Sequence, residues 1–145
     1  IATTGHEVGT TTGRRRRVGW NDALPLRYAV QLNGVSSIML NKLDVLSGIP
    51  EILLCVAYEI DGKRVERWPS STAEMERATP IYERFPGWSE PIHQVRALAD
   101  LPENARRYVT ALEELAGAPI VLLSVGPERT QTIERAWRPL RHAKR

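Results

Sequence analysis

Pro119-Ile120-Val121-Leu122-Leu123-Ser124-Val125 is a short apolar run, closed at its far end by Gly126-Pro127. A run of this length, rich in branched side chains and bounded by turn residues, reads as a buried strand. Just before it, Ala105, Tyr108, Leu112 and Leu115 recur at helical spacing, and Gly117 supplies the stop. Asp100 and Glu103 make a capping-box pair around Pro102, which predicts a helix start near Asp100. The same order occurs earlier in the chain. Asn21 is the expected N-cap of a helix with Pro25 in its first turn and with Ala23, Leu26, Ala29 and Val30 in phase; Asn33-Gly34 ends it. Val35 to Leu40 then reads as a second buried strand, running into Asn41-Lys42-Leu43-Asp44. Alternation of helix and buried strand predicts an α/β fold.

Between these two units the signals change. Ile52 to Ile60 reads as a strand, Asp61-Gly62 as a hairpin turn, and Lys63 to Trp68 as the returning partner. Residues 69–100 contain several prolines and the Pro86-Gly87-Trp88 turn. They are expected to form a long surface segment with little regular structure beyond a short helix near Thr72–Ala78. Residues 1–20, rich in glycine and threonine, are expected to be loop. No internal repeat is visible.

The chain has 145 residues, 42% hydrophobic and 26% charged, which suits one globular domain with its own core. The longest apolar run, Ile52 to Tyr58, is too short to cross a bilayer, so no membrane association is expected. The stretch opens in a polar loop without Met or a secretory leader, which fits a piece of a longer polypeptide. One cysteine, Cys55, excludes an internal disulfide and fits a reducing, cytoplasmic setting; within its apolar run it is expected to act as a small hydrophobe. The net charge of +3 is unevenly spread, with Arg14 to Arg17 in one block and Arg135, Arg138, Arg141, His142, Lys144 and Arg145 in another. Such blocks suit anionic ligands.

Three constellations could carry chemistry. Asp44 follows a strand, where ligands of open α/β sheets bind. A carboxylate there can accept from guanine N1–H and N2–H₂, whereas adenine presents an acceptor at N1 and would be repelled. The Lys42 stem can lie along a base. Ser124-Val125-Gly126 closes the other buried strand, and its backbone N–H groups can donate to a carbonyl such as guanine O6. Gly9-Thr10-Thr11-Thr12-Gly13-Arg14-Arg15-Arg16-Arg17 joins flexible glycines and hydroxyls to guanidinium forks, which suits a small dianion. Each has a plainer reading: a solvated Lys/Asp pair, an ordinary strand–Gly–Pro turn and a basic surface loop. No Gly-x4-Gly-Lys-Ser/Thr phosphate loop occurs. His6, His93 and His142 are scattered, and no residue grouping has metal-ligand spacing. A small basic nucleic-acid-binding module is the competing reading; its aromatics, however, do not interleave with the basic residues.

Order and neighbours narrow this. Residues 9–20 (GTTTGRRRRVGW), 26–30 (LRYAV), 41–48 (NKLDVLSG), 55–58 (CVAY), 82–88 (YERFPGW), 101–108 (LPENARRY) and 124–133 (SVGPERTQTI) together resemble the adenylosuccinate synthetase family, in one order, from about Gly9 to Ile133. The resemblance implies part of a larger, mostly parallel-sheet GTP-binding ligase fold. It implies a cytoplasmic homodimer that joins IMP and L-aspartate at the expense of GTP, with Mg²⁺, by phosphoryl transfer to O6 of IMP and attack of the aspartate amine.

Carried over by position, Thr10, Thr11, Thr12, Gly13, Arg14, Arg15 and Arg16 match the mobile aspartate loop. Arg14 also matches an IMP contact and Arg16 a GTP contact. Lys42, Leu43 and Asp44 match the guanine segment, and Ser124, Val125 and Gly126 the second guanine contact. The family's phosphate loop, catalytic Asp, catalytic His and Mg²⁺ ligands are expected before Ile1, and His6 does not match that His. Residues 1–133 are therefore expected to be the C-terminal, guanine- and aspartate-binding part, inactive alone. Asn21 departs from the family's more usual hydrophobic or aromatic residue. Glu134 to Arg145 looks unlike the family's usual end and is expected to be a basic, poorly ordered tail, or a helix around Trp137.

Overall fold

The computed structural model describes residues 1–136. The chain order is β1 (Asn21–Asp22), α1 (Ala23–Asn33), β2 (Ile38–Leu40), β3 (Glu51–Ile60), β4 (Lys63–Val65), α2 (Thr72–Glu76), β5 (Thr79–Pro86), α3 (Glu103–Ala116), β6 (Ile120–Ser124) and β7 (Thr132–Glu134). One sheet has β3 at its centre, parallel to β1 and antiparallel to β4 and β5. The other runs β2-β6-β7, with β2 and β6 parallel and β7 antiparallel. The α/β class is as the helix–strand alternation predicts, with parallel and antiparallel pairs mixed.

The helix caps differ in detail from the sequence expectation. Asn21 pairs with Leu54 in β1, so the N-cap falls one residue later: Asp22 Oδ1 accepts from Leu24 N at 3.0 Å. The Asp100/Glu103 capping box does not form. Asp100 closes a 3₁₀ turn over Leu98–Asp100, and Pro102 takes the N-cap position without a side-chain bond. Both helices stop at left-handed glycines, Gly34 at φ 62° and Gly117 at φ 77°, where a Cβ would be strained. The hairpin turn also has the expected chemistry, with Asp61 at φ 52° and Gly62 at φ 73° matching the twist between β3 and β4.

The larger departure is β5. Residues 79–86 were expected to lie without regular structure, yet they pair with β3 along its whole length, from Glu51↔Pro86 to Glu59↔Thr79. Their apolar alternation is too sparse to read locally, since only Phe85 is buried. The prolines are tolerated because β5 bonds to one neighbour only. The short β7 likewise gave no sequence signal. Part of the presumed tail belongs here: Glu134 ends β7, and Arg135 pairs with Glu113 at 2.7 Å. Residues 137–145, with Trp137 and His142, lie outside the described residues.

Helix α3 joins the two sheets. Tyr108, Val109 and Leu112 share one buried cluster with Ile52 and Leu54 of β3 and with Ile120 and Leu123 of β6. Phe85 meets Tyr108 edge-on at 5.9 Å. Cys55 is buried beside Leu24, Tyr58 and Ile60, and burial, reinforced by Asp22, pushes its thiol up to about 11. It therefore stays protonated at neutral pH and packs as a hydrophobe, as its setting in the sequence suggests.

Gly87 sets the path of the chain just after Asp44. Its N–H donates to Pro50 O at 2.9 Å, Trp88 O accepts from Gly48 N at 2.8 Å, and a Cβ on Gly87 would lie 1.7 Å from Ile49 O. Backbone cannot give way as a side chain does. Gly87→Ala is therefore expected to destabilise by about 1–3 kcal/mol, read as a lower melting temperature of the intact protein. An unchanged melting temperature would show that these backbones do not approach so closely.

Candidate functional site

The parallel pairing of β2 with β6 brings their carboxyl ends to one edge. Asn41 to Asp44 follows the first strand and Val125-Gly126 the second. Asn41, Lys42, Asp44, Ser124, Gly126 and Pro127 line one cavity of about 430 Å³, together with Thr4, Gly5 and His6. Two motifs eighty residues apart in the chain are thus neighbours in space.

Each motif divides into anchor and presenter. Leu43 is 1% exposed and Val125 0%, so their side chains belong to the core and only their backbones can reach a ligand. Lys42 takes a left-handed φ of 62°, which turns the chain sharply at the strand end. A 3₁₀ turn over Leu43–Leu46 follows and presents Asp44, half-buried and with no hydrogen bond or ion pair to its carboxylate among the described residues.

In the other motif, Val125 N is already occupied, donating to Gln131 O at 2.9 Å, and Ser124 Oγ donates to Gly126 O at 2.9 Å. Gly126 N–H has no partner among the described residues and is the free donor of the turn. Only glycine fits there, because a Cβ would meet Gln131 Oε1 at 2.2 Å, and that amide also accepts from Glu128 N at 2.9 Å. Gln131, which sequence reading passed over, thus shapes the turn from behind.

A second cavity, of about 380 Å³, adjoins the first and shares Gly5, Asn41, Lys42 and Val45 with it. Arg16, Arg17, Trp20 and Tyr108 are among its lining residues. The segment expected to be plain loop is in fact a small hairpin: Val8 bridges Arg15, Arg16 N donates to Glu7 O at 2.9 Å, and Gly13, at φ 63°, closes its tip. Thr10, Thr11, Thr12, Gly13, Arg14 and Arg15 lie on this exposed hairpin and line neither cavity. Of the arginine block, Arg16 alone has an ion pair, with Glu7 Oε2 at 3.3 Å. Arg14, Arg15 and Arg17 are uncommitted among the described residues.

Glu7 is the residue that sequence reading missed. Its other oxygen accepts from Lys42 Nζ, which also donates to Gly5 O at 2.8 Å. The bond from Lys42, with help from Arg16, holds its carboxyl below the usual carboxylate range. An isolated acid ahead of four arginines was the available signal, but sequence does not say which cations it meets.

Fold and site together define a mixed α/β protein that opens ligand-sized cavities, rimmed by an unpaired acid and by cations, at the carboxyl ends of its parallel strands. The chain belongs to the adenylosuccinate synthetase family, whose model matches residues 1–133. It is 50% identical over 142 residues to adenylosuccinate synthetase of Streptococcus gordonii, covering 97% of this chain and 33% of that protein. That match runs past Ile133, so the end of the chain is not foreign to the family. It is 55% identical over 136 residues to the Thermobifida fusca enzyme, covering 94% of this chain and 31% of that one. In structure it is similar to fully ligated adenylosuccinate synthetase from Plasmodium falciparum, with TM-score 0.87 and 43% identity over 92% of this chain and 32% of that one. The chain spans about a third of the length of the curated relatives it matches.

Proposed function

We propose that this chain supplies the guanine-reading and acid-gripping walls of a GTP-dependent ligase that joins IMP and L-aspartate to form adenylosuccinate. The observation that carries the reading is the shared cavity of Asp44 and the Ser124–Gly126 turn. An unpaired carboxylate and a free backbone N–H on one wall match the guanine edge, which offers N1–H and N2–H₂ as donors and O6 as acceptor. Adenine inverts two of these three positions. Lys42 Nζ at the junction of the two cavities, with Arg16 beyond it, places positive charge where the ribose and phosphates of such a nucleotide would run.

The exposed hairpin carries the second half of the reading. Arg14 and Arg15 are uncommitted, and their forks suit the two carboxylates of L-aspartate and the charge that develops in phosphoryl transfer. Gly9 and Gly13 at its two ends let it fold over a bound substrate. Among the described residues no three His, Cys, Asp or Glu side chains converge as metal ligands. These residues do not build a Mg²⁺ site, and the roles given to them pass through none. No helix among them is long and apolar enough to cross a membrane.

The test is made in the intact protein, assayed with IMP, L-aspartate and GTP. Arg14→Leu should raise the KM for aspartate by about 10- to 100-fold, as expected for a lost charge-assisted hydrogen bond, and leave the KM for GTP within about threefold. An aspartate KM that stays put removes the hairpin from the site. Failure of the unaltered protein to form adenylosuccinate from these three substrates removes the reaction itself.

A further inference from the structure

Two cations from different parts of the chain converge at the junction of the cavities. Lys42 belongs to the turn after β2, and Arg16 to the end of the arginine hairpin. Left alone they would repel, and each long side chain would lose rotamer freedom on meeting a ligand. Between them stands Glu7, whose side chain is only 18% exposed. One oxygen takes the Lys42 ammonium, and the other lies 3.3 Å from Arg16 Nη1. The backbone reinforces the link, because Arg16 N donates to Glu7 O at 2.9 Å and Gly5 O accepts from Lys42 Nζ at 2.8 Å. Lys42 also holds a left-handed backbone that its side chain disfavours, so its position depends on outside restraint.

We propose that Glu7 is a positioning residue: its carboxylate clamps Lys42 of the base-reading turn to Arg16 of the arginine hairpin, so that both cations are pre-set for one anionic nucleotide. Nothing in this role requires Glu7 to touch the ligand. It leaves one net positive charge at the junction and couples the wall that reads the base to the segment that grips the acidic substrate. The inference rests on the guanine-nucleotide reading of the site.

The experiment compares Glu7→Gln, Lys42→Met, their combination and Glu7→Asp in the intact enzyme, measuring kcat, the KM for GTP and the melting temperature. Glu7→Gln is nearly isosteric and should fold. It should raise the KM for GTP about tenfold, with kcat held within about twofold. In the Lys42→Met background the same change should add less than about twofold, because the partner it acts through is gone. Glu7→Asp, which keeps the charge, should recover part of the loss. A KM unmoved by Glu7→Gln refutes the clamp, and so does a full tenfold effect that persists without Lys42. A drop in melting temperature with no change in KM would make Glu7 merely structural. Base selectivity in Asp44→Asn separates the two ideas: an Asp44 that ignores the base sinks the guanine site, whereas a selective Asp44 beside an inert Glu7 sinks the clamp alone.

Discussion

Asp44→Asn should weaken GTP by about 2–4 kcal/mol, or roughly 30- to 700-fold in KM, in the intact protein. The carboxylate has no partner among the described residues, so its acceptor capacity is free for a ligand. Asparagine keeps the shape but turns one acceptor into an N–H₂ donor. Against guanine that donor faces the N2–H₂ group, and two donors then meet without an acceptor between them. The remaining oxygen can satisfy only N1–H, and the charge assistance is lost. The same change should favour xanthine, which carries a carbonyl at C2 that the new amide can meet. XTP should therefore recover much of the lost rate. A GTP KM that does not move would take Asp44 out of the base site. Loss of GTP use without a gain for XTP would show that the substitution damages the cavity and does not rewrite it.

The second large effect concerns stability. Glu113 lies on α3 at 6% exposure, flanked by Val109, Leu112 and Ala116. Its Oε1 accepts from Ile120 N and from Arg135 Nη1, both at 2.7 Å, while Arg135 Nη1 also donates to Ile120 O at 2.7 Å. This network pins the start of β6 to α3 and to the strand end after β7, and β6 carries the Ser124–Gly126 turn of the site. Glu113→Ala leaves the Ile120 N–H without its acceptor and a half-buried guanidinium without its counter-charge. The cost should be about 3–5 kcal/mol, the range for breaking one side of a buried ion pair. That corresponds to roughly 10–20 °C in melting temperature. Glu113→Gln keeps an oxygen for Ile120 N and should cost visibly less. An alanine variant within about 1 kcal/mol of the parent would show that water already satisfies these groups. A large loss in Glu113→Gln equal to that of alanine would place the whole effect on charge.

The elements visible in the sequence were those whose signals are local. The stripe Ala105, Tyr108, Leu112, Leu115 with Gly117 defines α3, and Asp61-Gly62 defines the β3–β4 turn, because helical period and left-handed turns depend on residues a few places apart. The candidate site was legible to the same extent. Asp44 past one strand and Ser124-Val125-Gly126 past another are each recognisable, and the ordered motifs tied them to a family.

Partnership was decided only by tertiary structure. Periodicity says which face of a strand is apolar but not which strand lies beside it. Hence Thr79–Pro86 appeared irregular until β3 gave its backbone a ladder, and Thr132–Glu134 until β6 did so. The parallel pairing of β2 with β6 is what brings Asp44 and Gly126 to one cavity. Glu7 and Arg135 read as loop and tail charges, because an ion pair is a matter of distance across the fold, and distance along the chain carries no trace of it.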